Sequence, residues 1–167
     1  VGAGLALVLG ASPQDAILWR HVVLIGFSAS FAAKLADTFG SEIGKRWGRT
    51  TLLITTLRPV APGTDGAISM EGTAASAVGS VLMTMALWGL SSTDLPLIPN
   101  AAAAGVVMVV GLLATLAESV LGAVVQNRLG WLSNELINAL QTLLAAGLAM
   151  ACAALASHLV LPTIAGL

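Results

Sequence analysis

Residues 72–90 and 136–157 of this chain contain no charged side chain, and residues 101–125 are interrupted only by Glu118. Crossing about 30 Å of hydrocarbon takes about 20 apolar residues at about 1.5 Å each, so all three runs are long enough to span a membrane. A backbone in lipid has to satisfy its own hydrogen bonds, and an isolated apolar run does so only as a helix. Residues 17–36 form a weaker fourth span, with Arg20 and His21 near one end and Lys34 near the other, where long side chains can reach the interface. Residues 1–9 read as the remainder of a further span. The expected fold is all-α: a polytopic transmembrane helix bundle of about four full spans plus a partial N-terminal one, forming a single domain over residues 1–167. A start at Val1, in apolar sequence and without Met, reads as N-terminal truncation.

The composition agrees. Hydrophobic residues make up 57% of the chain and charged residues 9%, against about 25% charged in soluble domains. Mean hydropathy is +0.93. The net charge of -1 gives no reason to expect nucleic acid as a partner. The single cysteine, Cys152, excludes an intrachain disulfide and is expected to be a buried, inert thiol. His21 and His158 have no Cys or His partner with zinc-ligand spacing, and neither a nucleophile elbow nor a GxxxxGK[ST] loop is present.

The charges that do occur are concentrated. Asp37, Glu42, Lys45, Arg46, Arg49, Arg58, Asp65 and Glu71 all fall in one segment, and residues 44–69 carry four basic residues against one acid. Cytoplasmic loops are rich in Lys and Arg, which places this loop and the turn with Arg128 on the cytoplasmic side. Residues 12–15 and 91–100, which have acids and prolines but no basic residue, then lie opposite. Polar groups remote in sequence should therefore meet at one membrane face.

Three blocks carry candidate chemistry. In ADTFGSEIG, Asp37 and Ser41 are i,i+4 neighbours on a helix, as are Gly40 and Gly44. Close helix packing explains the glycines but not a carboxylate at the edge of the hydrocarbon. Glu42 points elsewhere on the helix, toward water or the site. The second block, RPVAPGTDGAISMEGT, has prolines that fix φ and glycines that permit positive φ, so it reads as a shaped loop with backbone N–H groups available to an anion. Arg58 is a candidate phosphate clamp, and Ser69, Gly72 and Thr73 stand at a helix N-terminus, where Ser69 also suits an N-cap. In the third block, Glu118, Gly122 and Gln126 share one stripe of an apolar helix, followed by Asn134 and Asn138. Trp131 reads as an interfacial anchor. Two carboxylates, Asp37 and Glu118, facing a basic, glycine-bearing loop suit Mg2+-assisted phosphoryl transfer.

In order and spacing, these three blocks resemble the integral membrane family that includes the phytyl-phosphate kinase of tocopherol and phylloquinone synthesis. That family is distantly similar to CTP-dependent polyprenol kinases and phosphatidate cytidylyltransferases. The resemblance implies a kinase that converts an isoprenyl (phytyl or geranylgeranyl) monophosphate to the diphosphate with Mg2+ and a nucleoside triphosphate, CTP favoured. It assigns Asp37, Ser41 and Glu42 to the first block, Arg58, Pro62, Gly63, Thr64, Gly66, Ser69 and Gly72 to the second, and Glu118, Ser119, Gln126, Asn134 and Asn138 to the third. Lys45 and Asp65 join the substrate-binding set by their place beside these blocks. Relatives often have Asp where this chain has Glu118. The implied partners are an isoprenoid lipid phosphate, a nucleotide and membrane lipid, with a homo-oligomer left open. The implied location is an integral membrane protein with its site at the cytoplasmic face of a plasma or thylakoid membrane. Competing readings are a lipid-phosphate cytidylyltransferase and a transporter or channel lined by the same polar groups.

Overall fold

The computed structural model describes residues 12–126 and 133–164, with the side chains of 13, 14, 126 and 158–164 excepted. The partial span expected at residues 1–9 and the turn with Arg128 and Trp131 lie outside the described residues.

Four long helices dominate: α1 (Pro13–Trp47), α2 (Met70–Gly89), α3 (Ala101–Leu121) and α4 (Asn134–Ile164). All four are long and apolar enough to cross a membrane. Helix α1 begins in a capping box, with Ser12 Oγ accepting from Asp15 N–H and the Asp15 carboxylate accepting from Ser12 N–H. Pro13 occupies its first turn, where a missing N–H costs nothing. Lys45 and Arg46 end the helix, complementing the negative end of its dipole. At 35 residues, α1 runs for about 52 Å, well beyond the hydrocarbon thickness. Its exposed tryptophans, Trp19 and Trp47, are about 42 Å apart along the helix, close to the spacing of the two interfacial belts.

Helix α1 packs against the other three, and the contacts give their directions. Gly44 and Gly40 lie against Gly72 and Ser76, while Gly79 lies against Leu35 and Ala36, so α2 is antiparallel to α1. Ser28 meets Leu97 and Thr115 meets Ala33, so α3 runs with α1. Gly26 meets Met150 while Lys34 meets Asn138, so α4 runs against it.

The core is built from small side chains. Ala29, Ala32, Ala33 and Ala36 of α1 are fully buried. A Cβ on Gly79 would lie 2.8 Å from Leu35 O, and one on Gly111 would lie 2.6 Å from Ser80 Oγ. Where lipid is as apolar as leucine, helices associate through such close contact and through hydrogen bonds, here including Ser80 Oγ donating to Met108 O at 2.8 Å. Cys152 is exposed on α4 rather than buried, which corrects the expectation from sequence: its apolar neighbours face outward too.

The loop between α1 and α2 is non-helical, as its prolines and glycines imply. It contains a minimal antiparallel pair, β1 (Leu52–Leu53) with β2 (Ala67–Ile68), registered Leu52 to Ile68 and Leu53 to Ala67. The pair is two residues long, and no apolar periodicity at that length distinguishes it from coil.

Candidate functional site

A cavity of about 270 Å³ opens at the end of the bundle where α1 and α3 finish and α2 and α4 begin. Helix α1 lines it with Asp37, Gly40, Ser41, Gly44 and Lys45. The loop contributes Pro62, Gly63, Thr64, Asp65, Gly66 and Ser69, and α2 contributes Gly72. Glu118 and Ser119 come from α3, Asn134 and Asn138 from α4. Asp37 and Glu118, remote in sequence, thus share one cavity and lie within electrostatic range of each other, with Asp65 and Lys34 also in range of Glu118.

The local sequence explains how the walls come together. Gly40 and Gly72 let α1 and α2 almost touch: a Cβ on Gly40 would collide with Ser76 Oγ, and one on Gly72 would lie 2.8 Å from Gly40 O. Ser69 is half of a cap and half of a wall, since its buried Oγ accepts from Gly72 N–H at 3.1 Å. Gly63 and Gly66 both take positive φ, +84° and +76°. At Gly66 a Cβ would also strike Ala123 and come 2.6 Å from Ser119 O, so the loop is pressed onto the end of α3. There α3 relaxes into a π-helical turn, Gly122–Gln126, a distortion common at functional sites. Leu57 takes φ +53° as well, at the exposed tip of the hairpin, a non-glycine conformation not expected from its sequence.

Hydrogen bonding within the loop is selective. Thr64 N–H donates to Ala61 O and Ala67 N–H to Thr64 O, while Thr64 Oγ1 donates to Ala61 O at 2.7 Å. Among the described residues, the N–H groups of Gly63, Asp65 and Gly66 donate to no protein acceptor. Unengaged N–H groups around positive-φ glycines form the concave arrangement that binds anions.

Two expected residues are not in the lining. Arg58 is exposed on the hairpin, where its carbonyl accepts from Leu53 N–H at 2.9 Å. Glu42 faces outward and pairs with Lys45 at 3.6 Å. The Gln126 side chain lies outside the described ones. Conversely, sequence reasoning placed Lys34 at the interface and missed its contacts. Its Nζ donates to Asp37 Oδ2 at 3.0 Å and to Asn138 Oδ1 at 2.8 Å, tying α1 to α4 at the site. The i,i+3 spacing of Lys34 and Asp37 was the available signal. Thr73, expected at the helix N-terminus, lines the cavity, and Thr51, Ser76 and Thr115 line it too and were missed, since lone hydroxyl residues in a loop or an apolar helix carry no pattern.

Four membrane-spanning helices that gather polar groups at one end define a polytopic helical membrane protein with a terminal polar site. The chain belongs to the family described as Integral membrane protein DUF92, whose model matches residues 1–146. It is 37% identical to an uncharacterized membrane protein of Synechocystis sp. over 87% of this chain and 52% of that protein. It is 39% identical to Protein VTE6, chloroplastic, of Arabidopsis thaliana over 68% of this chain and 33% of that protein. An uncharacterized membrane protein of Methanocaldococcus jannaschii is 36% identical over 77% of this chain and 50% of its own length. The chain therefore spans about half, or less, of the curated relatives it matches. No solved structure matches it.

Proposed function

We propose that this chain carries the phosphoryl-transfer site of a membrane enzyme that converts an isoprenyl monophosphate, phytyl or geranylgeranyl, to its diphosphate with a nucleoside triphosphate, CTP being the favoured donor. The observation that carries the reading is the cavity itself, which gathers the carboxyl-bearing residues Asp37, Asp65 and Glu118 with three unengaged N–H groups of the PGTDG loop. The N–H groups suit phosphate oxygens. The carboxylates would repel the same phosphates unless a divalent cation stood between them.

Asp37 and Glu118 fit Mg2+ on this ground, since Mg2+ takes one or two carboxylates and fills its shell with water and substrate phosphate. Among the described residues no group of three or more His, Cys, Asp or Glu could hold a metal. The fit is thus to a metal shared with substrate, not to a closed protein cage. When bound, the ion would supply charge neutralisation between the donor's phosphates and the acceptor.

In the proposed reaction a lipid phosphate oxygen attacks the γ-phosphorus of the donor. A P–O bond forms as the bond to the β,γ-bridging oxygen breaks, and its electron pair leaves on the nucleoside diphosphate. The attacking group is already an anion, so no general base is needed, and positioning and charge stabilisation dominate. Lys45 in the lining and Lys34 beside Asp37 add positive charge near the phosphates. The isoprenoid tail would lie in the surrounding lipid and against the apolar helices.

The four basic residues Lys45, Arg46, Arg49 and Arg58 lie on the cavity side of the bundle, which favours a cytoplasmic or stromal site. The 39% identity to Protein VTE6, and the motif resemblance to phytyl-phosphate kinase, support an isoprenoid substrate of the tocopherol type. Purified protein incubated with phytyl or geranylgeranyl phosphate, Mg2+ and each nucleoside triphosphate should yield the lipid diphosphate and a nucleoside diphosphate. Pyrophosphate released with a lipid-linked nucleotide would assign a cytidylyltransferase instead. Flux into liposomes without nucleotide turnover would assign a transporter.

A further inference from the structure

One helical turn beneath the cavity, three helices meet in a buried polar layer for which the reading above has no use. Gln141 of α4 is 2% exposed, and its Nε2 donates to Thr115 Oγ1 at 3.1 Å and to Ala33 O at 3.3 Å. Thr115 of α3 lies 3.0 Å from Gly111 O and 3.2 Å from Ala33 O, one of which takes its proton. The amide of Gln141 thus joins α1, α3 and α4 at one point. Its Oε1 is buried with no hydrogen-bond partner.

The position of this layer is specific. Ala33 is one turn before Asp37 on α1, Thr115 is one turn before Glu118 on α3, and Gln141 is one turn after Asn138 on α4. Each member therefore sits directly below a cavity group on its own helix, and Thr115 itself lines the cavity floor. A side chain kept only for stability would not carry an unpaired acceptor into the interior of a membrane bundle, where leucine or methionine would fill the same volume without that cost. A tripod that fixes the relative height of three helices accounts for it.

We propose that Gln141, through Thr115 and the Ala33 carbonyl, is a positioning residue that sets the separation of Asp37, Glu118 and Asn138 for a divalent cation. This rests on the reading of Asp37 and Glu118 as metal-binding carboxylates. It needs no contact between Gln141 and the ion. A register error of a fraction of an ångström at the tripod passes straight up rigid helices to carboxylates that must meet one small cation.

The test uses Mn2+ as the probe, followed by electron paramagnetic resonance on the purified protein in detergent, with thermal unfolding measured on the same samples. Wild type should bind Mn2+ in a manner that Asp37→Asn removes. Gln141→Leu should weaken that binding about tenfold while the unfolding midpoint stays level or rises, because the orphaned acceptor is gone. Thr115→Val should weaken binding likewise, and Thr115→Ser, which keeps the hydroxyl, should restore it. Mn2+ bound equally by wild type and Gln141→Leu overturns this inference and leaves the reading of the site intact. A fall in midpoint that tracks the loss of binding, with Thr115→Ser no better than Thr115→Val, also overturns it, since the role is then structural. No Mn2+ binding by wild type overturns the metal reading and this inference with it.

Discussion

The two ends of the bundle are each closed by an irregular connection and come out opposite. At the end away from the cavity, the 90–100 connection folds inward. Leu97 and Ile98 are 8% and 1% exposed, Ser28 Oγ donates to Leu97 O, and Ser91 Oγ accepts from Ile98 N–H at 2.9 Å. Arg20, which the sequence places near one end of its span, donates to the Asp94 carbonyl and ties this connection to α1. Serines there satisfy backbone groups so that apolar side chains can fill the gap between helices. At the cavity end the connecting loop instead stands on its own hairpin and docks at Gly66, leaving polar groups around open space. One end is a plug and the other an open polar cavity. The difference lies in whether the loop's side chains or its backbone turn toward the helices.

If the open end does chemistry and the closed end does not, substitutions should separate the two. The largest effects are expected at the paired acids. Asp37→Asn and Glu118→Gln should each lower turnover of the lipid phosphate about 10³-fold with the unfolding midpoint unchanged, as steady-state assay and thermal unfolding in detergent would record. Comparable activity in either variant would break the assignment of the open end. At the plug, Ile98→Ala should do the reverse: about 2 kcal/mol of stability lost to the cavity left behind, with KM unchanged. A Gly66→Ala variant lies between these. A side chain there is strained at φ +76° and strikes the π-helical turn, so the loop should lift off α3 and activity fall about tenfold, while the bundle, which does not rest on the loop, keeps its unfolding midpoint.

The same contrast explains what the sequence revealed. Four spans, their shared polar end and the positive-φ glycines were legible because each rests on a local rule: run length, loop charge, or a residue that alone tolerates the conformation. The Ser69 cap was legible for the same reason. The plug was not, because Leu97 and Ile98 look like any apolar pair in a short loop, and only the helices around them make them core. The contacts of Lys34 were not legible because snorkelling to the interface and pairing with Asp37 and Asn138 start from the same side chain at the same depth. Gln141 was passed over as a lone amide in an apolar run, its partners being 26 and 108 residues away.

Arg58 gives the smallest expected effect and sharpens the contrast most. The sequence places it at the head of the second block, where a guanidinium would suit phosphate. The structure places it on the exposed face of the hairpin, outside the cavity lining, with only its backbone engaged. If the loop works in this position, removing the guanidinium takes away one water-screened charge some way from the phosphates. Arg58→Ala should then change kcat/KM less than about threefold, and the small change should shrink further as salt is raised. A loss of thirtyfold or more, insensitive to salt, would mean that the hairpin folds over the bound phosphates and brings Arg58 into contact. The open end would then close during turnover, and its difference from the plug would be one of timing rather than of architecture.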